Sequence, residues 1–253
     1  MKADGKVTLK VWRGNRAAGG AFHEYQVDVA PGMVVLDALR AAQATQAPDL
    51  AIRWNCKAGK CGSCSAEVNG HPVLTCMTRL EEIHEDGPVT IAPMKTFPLI
   101  KDLVTDVSFN YEKAKEIPPF TPGQKDPDGK RRIYQEDVER IQEFRKCIEC
   151  FLCQNICHVI RDHQENKPAF AGPRFFIHLA NLAMHPWDTV DRTDLIKQQA
   201  GIGFCNITKC CSEVCPEKIH ITDNAIIPLK ERVVDQHYDP ILWLWRKATG
   251  RAT

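Results

Sequence analysis

Along the first hundred residues, apolar and polar positions alternate in short runs. Val7, Leu9 and Val11 alternate with Thr8, Lys10 and Trp12, and Tyr25, Val27 and Val29 alternate with Gln26 and Asp28. A period of two predicts strands with one buried face. The Pro31-Gly32 turn leads into a short predicted helix on which Val35, Leu36, Leu39 and Ala42 share one side. Strands are expected at 66–68 and 73–75, joined by the hairpin signal Asn69-Gly70 and followed by His71-Pro72, with another strand at 89–91. Further on the period becomes helical. Tyr134, Val138 and Ile141 fall at i, i+4, i+7, as do Phe175, Leu179 and Leu182. Thr222 or Asp223 is expected to cap a last helix carrying Ile226, Leu229 and Val233, which Pro228 either kinks or truly starts. The apolar run Ile241-Leu242-Trp243-Leu244-Trp245 is expected to pack on the protein's own core, a contact with a partner or membrane subunit being the alternative.

These patterns predict an α+β chain. A β-rich domain with one helix, a cysteine loop and a hairpin occupies 1–105 and reads as a ferredoxin-like β-grasp. An all-helical domain occupies 106–253, with a linker at about 112–133. The stretch IPPFTPGQKDPD at 117–128, rich in proline, marks that linker or a surface wrap.

With 253 residues and 43% hydrophobic content, the chain can bury the cores of two ordinary domains. A net charge of +1 gives no electrostatic grip on nucleic acid. Lys130-Arg131-Arg132 follows Asp126 and Asp128 and reads as a solvated loop. No apolar stretch approaches a bilayer span, and MKADGKVTLK lacks the apolar core of a signal peptide. The mature chain is therefore expected to start near Met1 and to stay in the compartment where it is made.

The twelve cysteines change the picture most. They form three groups: Cys56, Cys61, Cys64, Cys76; Cys147, Cys150, Cys153, Cys157; and Cys205, Cys210, Cys211, Cys215. Spacings of two or three residues suit metal chelation, where one loop wraps one centre. The first group has the C-x4-C-x2-C…C spacing of a plant-type [2Fe–2S] site, with Gly59 and Gly62 letting the backbone approach the sulfurs. The second has the bacterial [4Fe–4S] spacing, in which the fourth cysteine serves the other cluster. On that template, Cys205, Thr208 and Cys211 take the local ligand positions of the third group, and Cys215 crosses over. Cys147, Cys150, Cys153 and Cys215 then hold a [4Fe–4S] cluster, while Cys157, Cys205 and Cys211 are left with three thiolates for a [3Fe–4S] cluster. Cys210 is a bystander or an alternative ligand, and the bystander is favoured.

WNCKAGKCGSC with Cys76, CIECFLCQNIC and FCNITKCCSEVCP together resemble the iron–sulfur subunit of succinate dehydrogenase and fumarate reductase over nearly the whole chain. The resemblance implies electron relay between an FAD-containing flavoprotein subunit, which carries the dicarboxylate chemistry, and quinone at a membrane-anchor subunit. It also implies a peripheral position on the inner, cytoplasmic face of an energy-transducing membrane. Many relatives have Pro after the cysteine matching Cys157, then two tryptophans near the quinone; here His158-Val159-Ile160-Arg161-Asp162 follows. Asn206 stands where ubiquinone-using members have His. His158, Arg161 and Asn206 are thus candidates for the quinone-side surface. His163 is expected to be packed or hydrogen-bonded, and His178, His185 and His220 to be structural. A fused ferredoxin serving another flavin-dependent or disulfide reductase is the alternative. A cluster-bearing sensor needs a further ligand or nucleic-acid domain, for which no segment is left over. No G-x-G-x-x-G follows a strand, so flavin binding is placed on a partner.

Overall fold

The alternating runs form one mixed sheet. In this computed structural model, which describes residues 5–83 and 87–249, β1 (Lys6–Asn15) pairs along its whole length with antiparallel β2 (Gly19–Asp28). On its other side β1 runs parallel to β5 (Val89–Ala92). β3 (Ser65–Val68) and β4 (His71–Leu74) form the expected hairpin, with β3 pairing β5. Asn69 and Gly70 both take positive φ, +49° and +78°, as a two-residue hairpin of this twist requires. The short strands β6 (Leu99–Lys101) and β7 (Val104–Thr105) extend the sheet beyond β1. They were not legible, because three- and two-residue strands show no alternation. α1 (Val35–Thr45) buries Val35, Leu36, Leu39 and Ala42 as expected. All but Leu36 join Leu9, Val11, Tyr25, Val27 and Ile91 in one core.

The remaining elements are helical. They are α2 (Ser108–Lys115), α3 (Gln135–Gln142), α4 (Leu152–Ile156), α5 (His158–Arg161), α6 (Pro173–Ala183), α7 (Cys210–Glu213), α8 (Ile227–His237) and α9 (Pro240–Thr249). Phe175 and Leu179 of α6 are buried with Phe176 and Ile177, and Leu182 is half-buried. Ile141 of α3 is buried, but Tyr134 is 70% exposed and lies outside the apolar face. α8 begins at Ile227 with Pro228 in its first turn, after a π-helical segment at Ile221–Ile226, so Pro228 marks the start of the regular helix. Neither Thr222 nor Asp223 caps it through its side chain. Thr222 is buried, and its backbone N–H donates to Ser212 Oγ at 3.0 Å.

Two compact units divide the chain. One comprises Met1–Phe109, Ile148–Ile156 and Val214–Pro216; the other comprises Asn110–Cys147, Cys157–Glu213 and Glu217–Thr253. This differs from a contiguous division at 105/106, because two short cysteine-bearing segments from the second half pack into the N-terminal unit. Their apolar residues explain it. Cys150, Leu152, Ile148 and Val214 share a cluster with Leu36, Cys64, Leu74 and Cys76.

Within the second unit, the proline-rich stretch is a surface wrap. Buried Arg192 donates to the carbonyls of Pro118 (2.9 and 3.1 Å) and Pro119 (3.0 Å) and pairs with Asp188 at 2.8 Å. Arg132 pairs with Asp126 and Asp128, in keeping with a solvated loop. The described side chains of the closing apolar run do not pack on the core as expected. The run lies in α9, where Ile241, Leu244 and Trp245 are 75%, 59% and 51% exposed. The side chains of Leu242 and Trp243 lie outside the described residues, as does Met1, where the mature chain was expected to start. Among the described residues no helix is long and apolar enough to cross a membrane.

Candidate iron–sulfur sites

None of the twelve cysteines forms a disulfide. In the first group the loop from Cys56 to Cys64 turns its backbone N–H groups onto sulfur. Ala58 and Lys60 donate to Cys56 Sγ at 3.4 and 3.3 Å, and Cys56 N–H donates to Cys61 Sγ at 3.5 Å. Burial pushes the Cys61 thiol up, but the N–H groups of Cys56 and Ser63 and the Ser63 hydroxyl overcome it and bring the pKa down to about 6. Cys76 moves the other way, to about 11, through burial and its neighbour Cys64, although the Gly59 N–H opposes the rise. Donors aimed at sulfur are what a cluster needs when an added electron makes its sulfurs more negative. The Trp54 ring lies between the Arg40 guanidinium (4.7 Å) and the Lys57 ammonium (5.0 Å). The loop therefore carries positive charge beside exposed Cys56.

The first loop takes positive φ at Lys57, Gly59 and Gly62, whereas the second does so at side-chain-bearing residues alone. Glu149, between Cys147 and Cys150, and Phe151, between Cys150 and Cys153, have φ of +57° and +60°. Each such residue costs about 1–2 kcal/mol. Left-handed residues alternating with ordinary ones turn successive N–H groups to one side, the concave nest that anions and iron–sulfur groups occupy. Phe151 offsets part of this by burying its ring with Phe97, Met94 and Val107. Cys150, Cys153 and Cys215 belong to the N-terminal unit, and Cys147 immediately precedes its segment Ile148–Ile156.

The third group lies in the helical unit and repeats the device, with Ile207 and Lys209 at φ of +63° and +64°. Burial pushes the Cys157 thiol up to about 12, with the neighbouring Cys210 and Cys211 adding to the rise. Burial likewise pushes Cys211 up to about 11, with Cys210 and Cys205 adding and the Thr222 hydroxyl opposing. Cys157, Cys205, Cys210 and Cys211 thus share one electrostatic neighbourhood. Iron reverses this preference, because a coordinated thiol is deprotonated outright. Thr208 lies on the same loop, its Oγ1 3.4 Å from Cys210 Sγ and 3.5 Å from His158 Nδ1. The Lys230 ammonium donates to the Cys205 carbonyl, a contact no spacing rule could have found. Among the described residues no group of His, Cys, Asp or Glu is arranged as a single-ion site. The N–H donors aimed at sulfur in the first loop and the gathered thiols of the third group fit multi-iron clusters.

Of the quinone-side candidates, His158 and Arg161 are half-buried on α5 and Asn206 is exposed. The contact between Thr208 and His158 brings the third-group loop to α5; it involves neither Arg161 nor Asn206. Phe204 and Ile207, exposed on either side of Cys205-Asn206, were missed because they carry no motif. Three of the other histidines have polar partners. His220 Nδ1 lies 2.7 Å from Glu143, His163 Nδ1 3.2 Å from Glu165, and His185 accepts from the Trp187 N–H.

A β-grasp sheet bearing one thiol-lined loop, followed by a helical region bearing two more cysteine groups, defines an iron–sulfur electron-transfer protein. Two family models agree, a 2Fe-2S iron-sulfur cluster binding domain over residues 8–112 and a 4Fe-4S dicluster domain over residues 143–219. The chain is 32% identical over 203 residues to the fumarate reductase iron-sulfur subunit of Mycobacterium tuberculosis, covering 78% of this chain and 80% of that one. It is 33% identical over 220 residues, 87% of its length, to a subunit of the fumarate reductase (CoM/CoB) of Methanothermobacter marburgensis, and spans 42% of that relative's length. A chain of the Mycobacterium smegmatis Sdh1 complex in the apo form is 64% identical, with a TM-score of 0.89 over 93% of this chain and 98% of that one. The chain belongs to the family of iron–sulfur subunits of succinate dehydrogenase and fumarate reductase.

Proposed function

We propose that this chain relays electrons between an FAD-containing flavoprotein subunit and quinone held at a membrane-anchor subunit, on the inner face of an energy-transducing membrane. Cys56, Cys61, Cys64 and Cys76 would hold a [2Fe–2S] cluster. Cys147, Cys150, Cys153 and Cys215 would hold a [4Fe–4S] cluster, and Cys157, Cys205 and Cys211 a [3Fe–4S] cluster. When bound, each cluster supplies a site that takes up and releases one electron without breaking a covalent bond. The chain's own part is to fix the thiols, aim N–H donors at sulfur and bury the sites.

The observation that carries this reading is the third group. Cys157, Cys205, Cys210 and Cys211 share one neighbourhood there, Thr208, which takes the middle ligand position on the ferredoxin template, lies beside Cys210, and Phe204 and Ile207 are exposed on the same loop. A neutral hydroxyl does not ionise near neutral pH and ligates iron poorly, and exposed apolar side chains rimming a polar site mark a docking surface. The decisive test is purification from the native membrane. The chain should co-purify with a large flavoprotein that turns over succinate or fumarate, and should give three distinct iron–sulfur signals by electron paramagnetic resonance, one a [3Fe–4S] centre in the oxidised state. Only two clusters, or zinc in place of iron, would defeat it. Arg161→Ala should keep electron flow to an artificial soluble acceptor and lose quinone reduction; survival of both activities would place the quinone elsewhere.

A further inference from the structure

The first and second cysteine groups meet backbone to backbone inside the N-terminal unit. A Cβ built on Gly62, whose φ is +65°, would lie 2.7 Å from Cys150 Cα, 2.8 Å from Cys150 N and 2.8 Å from the Ile148 carbonyl oxygen. All three are main-chain atoms, so no side chain can swing aside to make room. Three residues on, the buried Ser65 hydroxyl lies 2.8 Å from the Cys150 carbonyl oxygen and 3.0 Å from the Gly62 carbonyl oxygen, and donates its one proton between them. Cys150 sits between Glu149 and Phe151, both left-handed, so its peptide groups have no regular helix or strand to fix them. A second contact lies further along. Glu67 Oε1 accepts from Asn155 Nδ2 at 2.7 Å, and Asn155 Oδ1 accepts from the Thr96 N–H at 3.1 Å. β3, which leads out of the first cysteine loop, thereby holds the second at Cys150 and Asn155.

We propose that Ser65 and Gly62 are positioning residues for the second cluster: the folded first loop is the template on which the Cys150 loop takes its ligating shape. Loading of the [4Fe–4S] site then depends on side chains that belong to the [2Fe–2S] loop and ligate nothing. The inference rests on the cluster assignment proposed above. Its physical basis is the asymmetry of buried polar groups. Removing the Ser65 hydroxyl leaves the Cys150 carbonyl without this donor, and a buried carbonyl left unpaired is displaced or hydrated. Adding a methyl at Gly62 forces the two backbones apart.

The test uses the full chain in its native complex, comparing Ser65→Ala, Ser65→Thr and Gly62→Ala with the unaltered protein. The readouts are iron and acid-labile sulfide per chain and the separate spectra of the reduced clusters. Ser65→Ala should retain the [2Fe–2S] signal while the [4Fe–4S] signal broadens or falls and its midpoint potential moves to more negative values, since a proton near a cluster ligand favours the reduced form. Ser65→Thr, which keeps the hydroxyl, should restore both. Gly62→Ala should lose the [4Fe–4S] signal most completely. A general loss of stability would instead lower all three cluster signals together, and that outcome overturns the proposal, as does a Ser65→Ala spectrum and potential identical to the unaltered protein. If the unaltered protein itself shows no [4Fe–4S] signal, the cluster assignment fails rather than the positioning role.

Discussion

The first and third cysteine groups solve one problem with different materials. The first lies at the edge of a sheet, with Gly59 and Gly62 supplying two of its three positive-φ positions at no steric cost, Lys57 the third, and with N–H donors aimed at Cys56 and Cys61. The third lies among short helices and reaches the same backbone shape with Ile207 and Lys209. It leaves no thiol as exposed as Cys56, and burial holds Cys157 and Cys211 on the protonated side as it does Cys76 in the first. Backbone strain weighs more on the third site than on the first, although a cluster there must also displace the protons its buried thiols hold. Iron contributes folding free energy in proportion to what it relieves, so the helical unit should depend more on its cluster than the sheet does.

The largest expected effects come from the ligands. Cys61→Ser and Cys150→Ser should both expose the N-terminal unit to proteolysis, because Cys150 shares an apolar cluster with Cys64 and Cys76. A contiguous division at 105/106 would instead have Cys150→Ser unsettle the helical domain. Cleavage confined to residues 110–147 and 157–213 in that variant would sink the shared-cluster argument. Cys157→Ser, by contrast, should open the helical unit. Next in size is the core of that unit. Phe176, fully buried against Phe170 and Phe175, should cost about 3–5 kcal/mol as Phe176→Ala. Denaturant unfolding followed by far-UV circular dichroism measures it, and a change under about 1 kcal/mol would mean that the cluster rather than the core holds this unit.

Much of this contrast was legible and some was not. Ligand groups, the β-hairpin and the α1 face follow from local spacing, and local spacing is what a sequence displays. The recruitment of Ile148–Ile156 and Val214–Pro216 into the sheet unit was invisible, because it depends on contacts such as Ser65 to Cys150, across 85 positions. Tyr134 matched the helical period of Ile141 but lies just before α3 starts, where the period no longer places a side chain inward. The exposed face of α9 was misjudged because hydrophobicity alone does not distinguish a core contact from an uncovered surface.

A smaller effect distinguishes the units by pH. Glu143 is pushed up by burial but held below its usual range by Asn224, the His220 N–H and the His220 ring. A depressed carboxylate contributes stability above its unfolded pKa and loses it as pH falls through the folded value. Glu143→Gln should therefore cost about 1 kcal/mol near neutrality, after solvent screening, and almost nothing in acid. An equal effect at both pH values would assign Glu143 a packing role instead.

The smallest effect on stability belongs to the change most telling for chemistry. Thr208 and Cys210 lie 3.4 Å apart at the third group, one in the template's ligand position and the other outside it. Cys210 adds to the upward push on both Cys157 and Cys211, so distance alone does not keep it from iron. Direction does. Cys210 and Cys211 are consecutive in α7, and consecutive helical side chains project about 100° apart. With Cys211 buried toward Thr222, Cys210 turns toward the more exposed Thr208 side. Thr208→Cys exchanges one small side chain for another at an exposed position, so stability should change by no more than about 0.5 kcal/mol. It should convert the oxidised [3Fe–4S] signal to a silent [4Fe–4S] centre and raise the iron content by one atom per chain. Cys210→Ala should leave that signal and the iron content unchanged. Loss of iron on Cys210→Ala would show instead that Cys210 completes a four-thiolate site, and the contrast between the first and third groups would then lie in strain and burial alone.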